Sequence, residues 1–245
     1  MFDIHTHILP EIDDGAKSWD MALEMCRMAQ ADGIQHIVAT PHANERYPYN
    51  REAHEARLAE LRQRFGPGLE FSLGCDFHMS YENLQDLQLH PRRYSIGGDR
   101  YMLVEFSNFS IPQPVEDAML RMDELGLTPV ITHPERNPIL QESLARVLGW
   151  ADQGCVVQIT ANALTGGFGD RSQQAALLLL KHQAVHVISS DAHDTQRRPP
   201  VLSTARAAVA GLFGEDVAQA LLHDNPAAIV RGQPLPYFPE TLQKS

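Results

Sequence analysis

The sequence predicts an α/β fold in which parallel strands alternate with helices. Seven short apolar runs, rich in β-branched residues, are each followed by a helical pattern or a loop. A strict βα alternation makes the strands parallel and puts the helices outside them, in an open sheet or a barrel. Ligands bind at the carboxyl ends of the strands in both arrangements, so functional side chains are expected there.

The predicted strands cover residues 2–7, 35–40, 69–73, 101–106, 128–132, 155–159 and 185–190. Ser18 is typical of an N-cap, and it predicts a helix over residues 19–31 that Gly33 closes. A second helix over residues 51–65 should end at Gly66-Pro67-Gly68. Further helices are predicted over residues 115–125, 139–152, 171–182, 201–212, 215–222 and from Pro226, with a short amphipathic piece from Tyr81 to Leu89.

Length and composition fit one soluble globular domain over residues 1–245, with a proline-rich tail from about residue 232. Twenty Lys and Arg residues against 31 Asp and Glu give a formal net charge of −11, which argues against nucleic acid or an anionic membrane as the partner. No basic leader or apolar run of about 18 residues is present, so neither a signal peptide nor membrane insertion is predicted. The three widely spaced cysteines predict reduced thiols and a cytoplasmic location.

Two pairs of metal-ligand residues occur at a spacing of two. His5 and His7 lie at the end of the first strand, and Asp191 and His193 follow the last. Residues i and i+2 of a strand point to the same face, so each pair can aim both donors at one point. A bound cation would therefore connect the first and last strands.

The other strand ends repeat this pattern. His42, Asp76, Glu105 and His133 follow or end the second to fifth strands, and Asp14 lies in the loop after the first. A lone histidine in such a place is more often structural than a ligand. Nine such residues together exceed the needs of one ion and favour two or three ions such as Mn²⁺, Fe²⁺ or Zn²⁺, with Asp76 or Asp191 as a bridge. The sixth strand contributes no charged or histidine ligand, although Asn162 lies just beyond it.

These residues form motifs that resemble a known superfamily. The motifs are His5-x-His7, Asp13-Asp14-Gly15, Thr40-Pro41-His42, Glu105-Phe106-Ser107, His133-Pro134-Glu135-Arg136 and Asp191-x-His193. Together they resemble the PHP (polymerase and histidinol phosphatase) superfamily. More narrowly, residues 2–230 resemble the bacterial manganese-dependent protein-tyrosine phosphatases of capsule and exopolysaccharide biosynthesis.

The resemblance implies a distorted (β/α)7 barrel with up to three metal ions at the strand ends. Mn²⁺ is the first expectation, and Fe²⁺ and Zn²⁺ are alternatives. The implied ligand sets are His5, His7, Asp76 and Asp191 for one ion, Asp76, Glu105 and His133 for a second, and Asp14, His42 and His193 for a third. Asp76 stands where the family often has Glu, so its bridge would be one methylene shorter.

The resemblance also implies hydrolysis of phosphotyrosine on a protein, for which a bacterial tyrosine kinase is the suggested partner. Arg136 and Arg198 would bind the phosphate, because a guanidinium offers planar paired donors; the alternative for each is a structural salt bridge, and Arg197 could replace Arg198. Cys26, Cys75 and Cys155 are outside any C-x5-R phosphate loop, so a cysteine nucleophile is not predicted. The sequence identifies no general acid.

Three other functions stay open. The first is a phosphoesterase for a small molecule such as histidinol phosphate, and the second is a metal-dependent amidohydrolase. The third is a non-catalytic metal-binding regulatory module. A homo-oligomer is also left open. His78 follows Asp76 by two residues and is therefore the one additional histidine expected near the strand ends.

Overall fold

The computed structural model describes residues 1–111 and 115–242. All the strand pairings within these ranges are parallel. The strands are β1 (Phe2–Thr6), β2 (His36–Ala39), β3 (His42–Ala43), β4 (Glu70–Leu73), β5 (Asp76–His78), β6 (Tyr101–Glu105), β7 (Thr128–Thr132), β8 (Val156–Thr160) and β9 (Val187–Ser189).

The nine strands occupy seven positions around a barrel. β2 pairs with β4 and β3 pairs with β5, so Thr40-Pro41 and Gly74-Cys75 interrupt two longer strand positions. The neighbours then follow chain order from β5 through β6, β7 and β8 to β9. The last position returns to the first, because Asp191 N–H donates to the His5 carbonyl at 2.9 Å and His7 N–H donates to the Ala192 carbonyl at 2.8 Å. The predicted α/β fold with seven strand positions is confirmed.

Helices follow most of the strands. They are α1 (Trp19–Ala31), α2 (Arg51–Phe65), α3 (Tyr81–Leu89), α4 (Val115–Glu124), α5 (Pro138–Glu142), α6 (Leu144–Asp152), α7 (Ala161–Leu164), α8 (Asp170–Lys181), α9 (Ser203–Phe213), α10 (Glu215–Gln219) and α11 (Asn225–Val230). Short 3₁₀ turns lie at Ile96–Gly98 and Pro134–Arg136, and a π-helical turn at Ala220–Asp224 joins α10 to α11.

The predicted helix boundaries agree well where a capping residue marks them. The Ser18 hydroxyl accepts the Met21 N–H at 3.2 Å, and Gly33 turns the chain out of α1 with a φ of +86°. The helix predicted over residues 139–152 is wrong as a single element. Ser143 leaves the helical region, and its carbonyl accepts the Arg146 N–H to start α6.

Two apolar clusters hold the barrel together. The larger packs the helices against the outside of the strands and includes Trp150, which is 1% exposed. The smaller takes one residue from most strands, among them Leu103, Val130 and Val156, and closes against Ile229. Leu103 and Glu105 share a face of β6, so Glu105 stands just beyond this smaller cluster, towards the strand ends.

The chain after α11 packs back on the barrel. The Asn225 side chain donates to the Tyr237 carbonyl at 2.7 Å and accepts the Tyr237 N–H at 3.0 Å. The Phe238 ring then lies 4.0 Å from the buried ring of His186. Residues 243–245 of the predicted proline-rich tail lie outside the described ranges. Among the described helices, none combines the length and apolarity needed to cross a bilayer.

Candidate metal centre

The structure brings all nine predicted ligand residues together at the strand ends. Each belongs to at least one of four groups in which the potential ligand atoms all lie within 4.8 Å of one another. The groups are His7, Asp14, His42 and His193; His5, His7 and Asp76; His5, His133 and Asp191; and His42, Asp76 and Glu105. Because the groups share members, they form one continuous cluster.

The first and last strands meet at the centre of this cluster. Asp191 Oδ1 lies 3.4 Å from His5 Nε2 and 3.4 Å from His7 Nε2. The two Nε2 atoms are also 3.4 Å apart. The spacing of two along β1 therefore aims both imidazoles at one point.

The loop after β1 brings Asp14 over the cluster. Asp14 Oδ1 lies 3.3 Å from both His42 Nε2 and His193 Nε2. Gly15 allows this path, because a Cβ there would come within 2.0 Å of the His7 carbonyl oxygen. Asp13, which was not a predicted ligand, points inward and places Oδ2 2.7 Å from His7 Nδ1.

Asp76 lies between the ends of β1 and β3. Its Oδ2 is 3.1 Å from His42 Nδ1 and 3.6 Å from His5 Nε2. Glu105 is on the next strand position, with Oε2 3.7 Å from His42 Nδ1 and Oε1 3.8 Å from His133 Nε2. The shorter Asp76 side chain thus reaches both neighbouring groups.

The groups differ from the implied ligand sets in several members. Asp191 is not in the group of His7 and Asp76, and His7 also joins the group of Asp14. His42 lies with Asp76 and Glu105, whereas His133 lies with His5 and Asp191. His42 faces two groups with its two ring nitrogens, so it can serve either one. His133 remains within 3.8 Å of Glu105.

The residues fit divalent cations. Both carboxylate oxygens of Asp76 and Nδ1 of His42 are buried. Asp76 Oδ2 and His42 Nδ1 approach to 3.1 Å without forming a hydrogen bond, and neither side-chain atom has another hydrogen-bond partner within residues 1–111 and 115–242. Buried polar atoms are normally satisfied, and a buried unpaired carboxylate is costly. Imidazole and carboxylate donors match Mn²⁺, Fe²⁺ and Zn²⁺, so a cation between these groups would satisfy them.

The electrostatics of the cluster differ among its residues. Although burial lowers their pKa, nearby carboxylates raise the pKa of His7 to about 9 and that of His42 to about 12, so a bound cation must displace a proton from each. Asp191, His133 and His193 are shifted towards the form that binds a metal. Although burial raises the pKa of Asp191, the charges of His5, Arg136 and Arg198 hold it well below its usual range. Burial and the Arg136 charge lower the pKa of His133 well below its ordinary value. Burial, followed by the His7 charge, lowers the pKa of His193 to about 4. The carboxylate is therefore ionised and both imidazoles are neutral near pH 7, as metal ligands must be.

Hydrogen bonds fix the orientation of three histidines. His5 Nδ1 lies 2.9 Å from Gln158 Oε1, and His193 Nδ1 lies 3.0 Å from the Asp191 carbonyl oxygen. Asp13 holds His7 in the same way, so in each case Nε2 faces the cluster. Such partners are typical of metal-binding histidines. The Asp-Asp-Gly motif could have identified Asp13, but no sequence signal identified Gln158.

Arg136 and Arg198 lie at the edge of the cluster and both donate to Asp191 Oδ2. Asp194 Oδ1 accepts the N–H groups of residues 196, 197 and 198, which turns Arg198 inward and leaves Arg197 exposed. Nε of Arg198 is buried and has no partner in the described chain. Both arginines therefore form a salt bridge, as the alternative to phosphate binding predicted. Their shared partner, however, is Asp191, which belongs to the cluster itself.

The remaining histidines mostly lie elsewhere. His78 is the exception expected from its spacing, since its Nδ1 lies 3.8 Å from Glu105 Oε2 and its side chain is 28% exposed. His36 contacts Glu70 and Ser72 at the start of β2. His186 is buried next to the tail.

A parallel barrel with imidazoles and carboxylates at its strand ends is typical of one class of protein, the metal-dependent barrel hydrolases. Two solved structures share this fold at low sequence identity. β-Aspartyl dipeptidase of Fervidobacterium islandicum matches with a TM-score of 0.54 and 13% identity over 94% of this chain and 72% of its own. Dihydropyrimidinase of Brevibacillus agri matches with a TM-score of 0.54 and 12% identity over 95% of this chain and 71% of its own.

The chain belongs to the CpsB/CapC family of capsular polysaccharide synthesis, whose family model matches residues 1–231. Tyrosine-protein phosphatase YwqE of Bacillus subtilis is 32% identical over 238 residues, which are 95% of this chain and 92% of the relative. Tyrosine-protein phosphatase CpsB of Streptococcus pneumoniae is 28% identical over 95% of this chain and 99% of its own. A crystal structure from work on YwqE and CpsB, described as unique metal-dependent tyrosine phosphatases, matches with a TM-score of 0.88 at 30% identity over the whole of both chains. The resemblance predicted from the motifs is confirmed.

Proposed function

We propose that this chain is a metal-dependent protein-tyrosine phosphatase that works as one domain over residues 1–245. The observation that carries the proposal is the cluster of nine ligand side chains with two arginines at its edge. The family relatives described above are tyrosine-protein phosphatases, and the matched structure belongs to metal-dependent ones. The same relatives favour this function over histidinol phosphate hydrolysis, amide hydrolysis and a non-catalytic role.

The nine residues of the cluster are assigned as ligands for up to three ions, of which Mn²⁺ is the first choice and Fe²⁺ or Zn²⁺ the alternatives. When bound, such ions would neutralise a phosphate dianion and lower the pKa of a water molecule enough for it to lose a proton and attack phosphorus near neutral pH. The protein itself orients the ligand atoms and balances the charge of the ions. Buried, hydrogen-bonded imidazoles hold their Nε2 atoms inward, and Asp76 can join neighbouring sites.

The phosphate of the substrate is assigned to Arg136 and Arg198. Both guanidiniums already point at the cluster, and the buried Nε–H of Arg198 is free to donate to a phosphate oxygen. Although burial lowers its pKa, Asp191 raises the pKa of Arg136, so this group stays charged at any pH at which the protein is folded. Paired guanidinium donors match the geometry of a phosphoryl group.

A cysteine nucleophile does not fit this site. Cys26, Cys75 and Cys155 are all buried. Burial raises the pKa of the Cys26 and Cys155 thiols to about 12, and it raises the pKa of the Cys75 thiol well above its usual value. A reactive cysteine needs the opposite shift, towards the thiolate.

The substrate is assigned as a phosphotyrosine protein in the cytoplasm, with a bacterial tyrosine kinase of capsule or exopolysaccharide synthesis as the specific partner. The support is the family membership of the chain. The leaving group is the phenolate of tyrosine, and the pKa of the phenol is about 10, so the site needs no strong acid to protonate the leaving oxygen.

Hydrolysis of p-nitrophenyl phosphate with added Mn²⁺, and again with a chelator, tests the proposal. We expect release that depends on metal and returns when Mn²⁺ is restored. Phosphotyrosine peptide and histidinol phosphate are then compared by kcat/KM, with the peptide preferred. Absence of metal-dependent release would rule out the phosphatase, and a preference for histidinol phosphate would favour the small-molecule alternative.

Arg136→Ala is expected to act mainly on substrate binding. Removing one charge-assisted hydrogen-bonding group should raise KM for phosphotyrosine peptide about tenfold or more, with a smaller change in kcat. Arg197→Ala is the matched control, because the Arg197 side chain is exposed next to Arg198, and its KM should stay unchanged. A drop in kcat at constant KM for Arg136→Ala would contradict the assigned role.

A further inference from the structure

β8 is the strand position that contributes no predicted ligand, and its residues support the site instead. β8 and the residues after it contact other members of the site rather than joining the cluster. Gln158 holds His5, and Thr160 donates its N–H and its hydroxyl to Glu135 Oε1 at 2.9 and 2.6 Å. Asn162 donates to the Arg197 carbonyl at 3.3 Å. This strand therefore supports the segments that carry both arginines.

The loop after α7 adds an aromatic ring to this support. The Arg136 guanidinium carbon lies 4.2 Å from the centre of the Phe168 ring, and that of Arg198 lies 5.7 Å from it. Both are within the range of cation–π attraction. Phe168 thus contacts the same two guanidiniums that meet at Asp191 Oδ2.

The backbone around Phe168 is built for close packing. Gly166 and Gly169 adopt φ values of +91° and +83°, which favour glycine. A Cβ on Gly167 would come within 2.0 Å of Asn162 Oδ1, so a larger residue there would displace the Asn162 side chain. The loop is thereby held against the residue that contacts Arg197, and Phe168 is fixed beside Arg198.

We propose that Phe168 is a positioning residue that holds Arg136 and Arg198 side by side for the substrate phosphate; this rests on the phosphate-binding role proposed above. Two guanidiniums repel each other, and Asp191 Oδ2 alone cannot fix the planes of both. The face of the ring attracts both cations and restricts their side-chain freedom. An incoming phosphate therefore meets two arginines that are already aligned.

Phe168→Leu tests this inference. We expect KM for phosphotyrosine peptide, and the dissociation constant for inorganic phosphate measured by calorimetry on the Mn²⁺-loaded protein, to rise about three- to tenfold, as expected for loss of a partly desolvated cation–π contact. The kcat should change by less than about twofold, because the contact aligns ground-state and transition-state phosphate alike. Phe168→Tyr keeps the ring and should keep both constants near those of the wild type. Phosphate affinity unchanged in Phe168→Leu would overturn the inference.

A double-mutant comparison separates positioning from general structural support. In an Arg136→Ala, Arg198→Ala background, Phe168→Leu should cause no further loss of phosphate affinity. An equal loss in both backgrounds would overturn the role of Phe168 while leaving the proposed function intact. If the two arginine substitutions themselves leave phosphate affinity unchanged, the proposed phosphate site fails together with this inference.

Phe238→Leu is the matched control for the substitution. The substitution is chemically the same, but Phe238 contacts the ring of His186. His186 lies just before β9, at the end of the barrel opposite to the cluster. The KM and phosphate affinity of Phe238→Leu should equal those of the wild type. Metal content of Phe168→Leu should also be unchanged, since Phe168 belongs to none of the four ligand groups.

Discussion

Asp191→Ala is expected to lower kcat on the order of 10³-fold or more and to remove bound metal, since metal-ion stabilisation supplies several kcal/mol to such reactions. Asp191 Oδ1 faces His5, His7 and His193 at 3.4 to 3.5 Å. Its second oxygen accepts from both arginines. Alanine therefore removes a proposed ligand and leaves five neighbouring groups without their shared partner.

His7→Ala should have the same result for a related reason. His7 lies in two of the four ligand groups, and its ring packs 4.0 Å from that of His193 and 4.4 Å from that of His42. Elemental analysis of the purified variants, together with kcat at saturating Mn²⁺, measures both effects. Circular dichroism checks that the fold persists.

Two further variants make the comparison decisive. Asp191→Asn keeps the shape of the side chain but loses its charge, so it should also lose metal while remaining folded. His223→Ala removes an imidazole that lies outside all four ligand groups and should leave metal content unchanged. Full metal content and activity in His7→Ala would refute the ligand assignment.

The sequence predicted the fold because its signals are local. The helix cap at Ser18, the break at Gly66-Pro67-Gly68 and the apolar strand runs define α1, α2 and the seven strand positions. The two- and three-residue strands β3 and β5 were missed, since such short segments carry no measurable period. The predicted single helix over residues 139–152 failed at Ser143, whose non-helical backbone leaves no strong mark in the sequence.

The sequence also predicted which residues approach one another, because strand ends of a parallel barrel share one side. It did not predict how they are supported. Gln158 meets His5 across 153 residues, and Phe168 meets Arg136 and Arg198 through a loop, so both contacts depend on the folded barrel. Secondary-structure patterns contain no information on such distant pairs.

Backbone conformation at two strand ends was equally hidden. His133 and Asp191 adopt left-handed φ values of 32° and 52°. Non-glycine residues in this region are uncommon and cost about 1–3 kcal/mol each, and they concentrate at functional sites. Both residues leave a strand and turn towards the cluster at once, which accounts for the placement of this strain.

Acid is expected to destabilise the protein partly through His186, far from the metal cluster. His186 is fully buried, and its Nδ1 accepts the Val157 N–H at 3.0 Å. Its Nε2 has no hydrogen-bond partner in the described ranges, and the Phe238 ring covers it at 4.0 Å. Burial lowers the pKa of His186 from 6.5 to about 4.

The sign follows from proton binding. Between pH 6.5 and 4 the unfolded chain takes up a proton on this histidine and the folded chain does not, so stability falls as pH falls through that window. Each pKa unit is worth about 1.4 kcal/mol, so this one group should lower the free energy of unfolding by roughly 3 kcal/mol at the acid end of the window.

His186→Gln removes the titration, and its amide oxygen can still accept the Val157 N–H. Urea unfolding is measured at pH 7 and pH 4.5 for the wild type and the variant, both treated with a chelator to remove metal. From pH 7 to pH 4.5 the glutamine variant should lose about 2 kcal/mol less unfolding free energy than the wild type. The difference isolates His186 because His54, whose pKa burial also lowers to about 4, is present in both proteins and cancels. Equal losses in the two proteins would mean that His186 is protonated in the folded barrel as readily as in the unfolded chain.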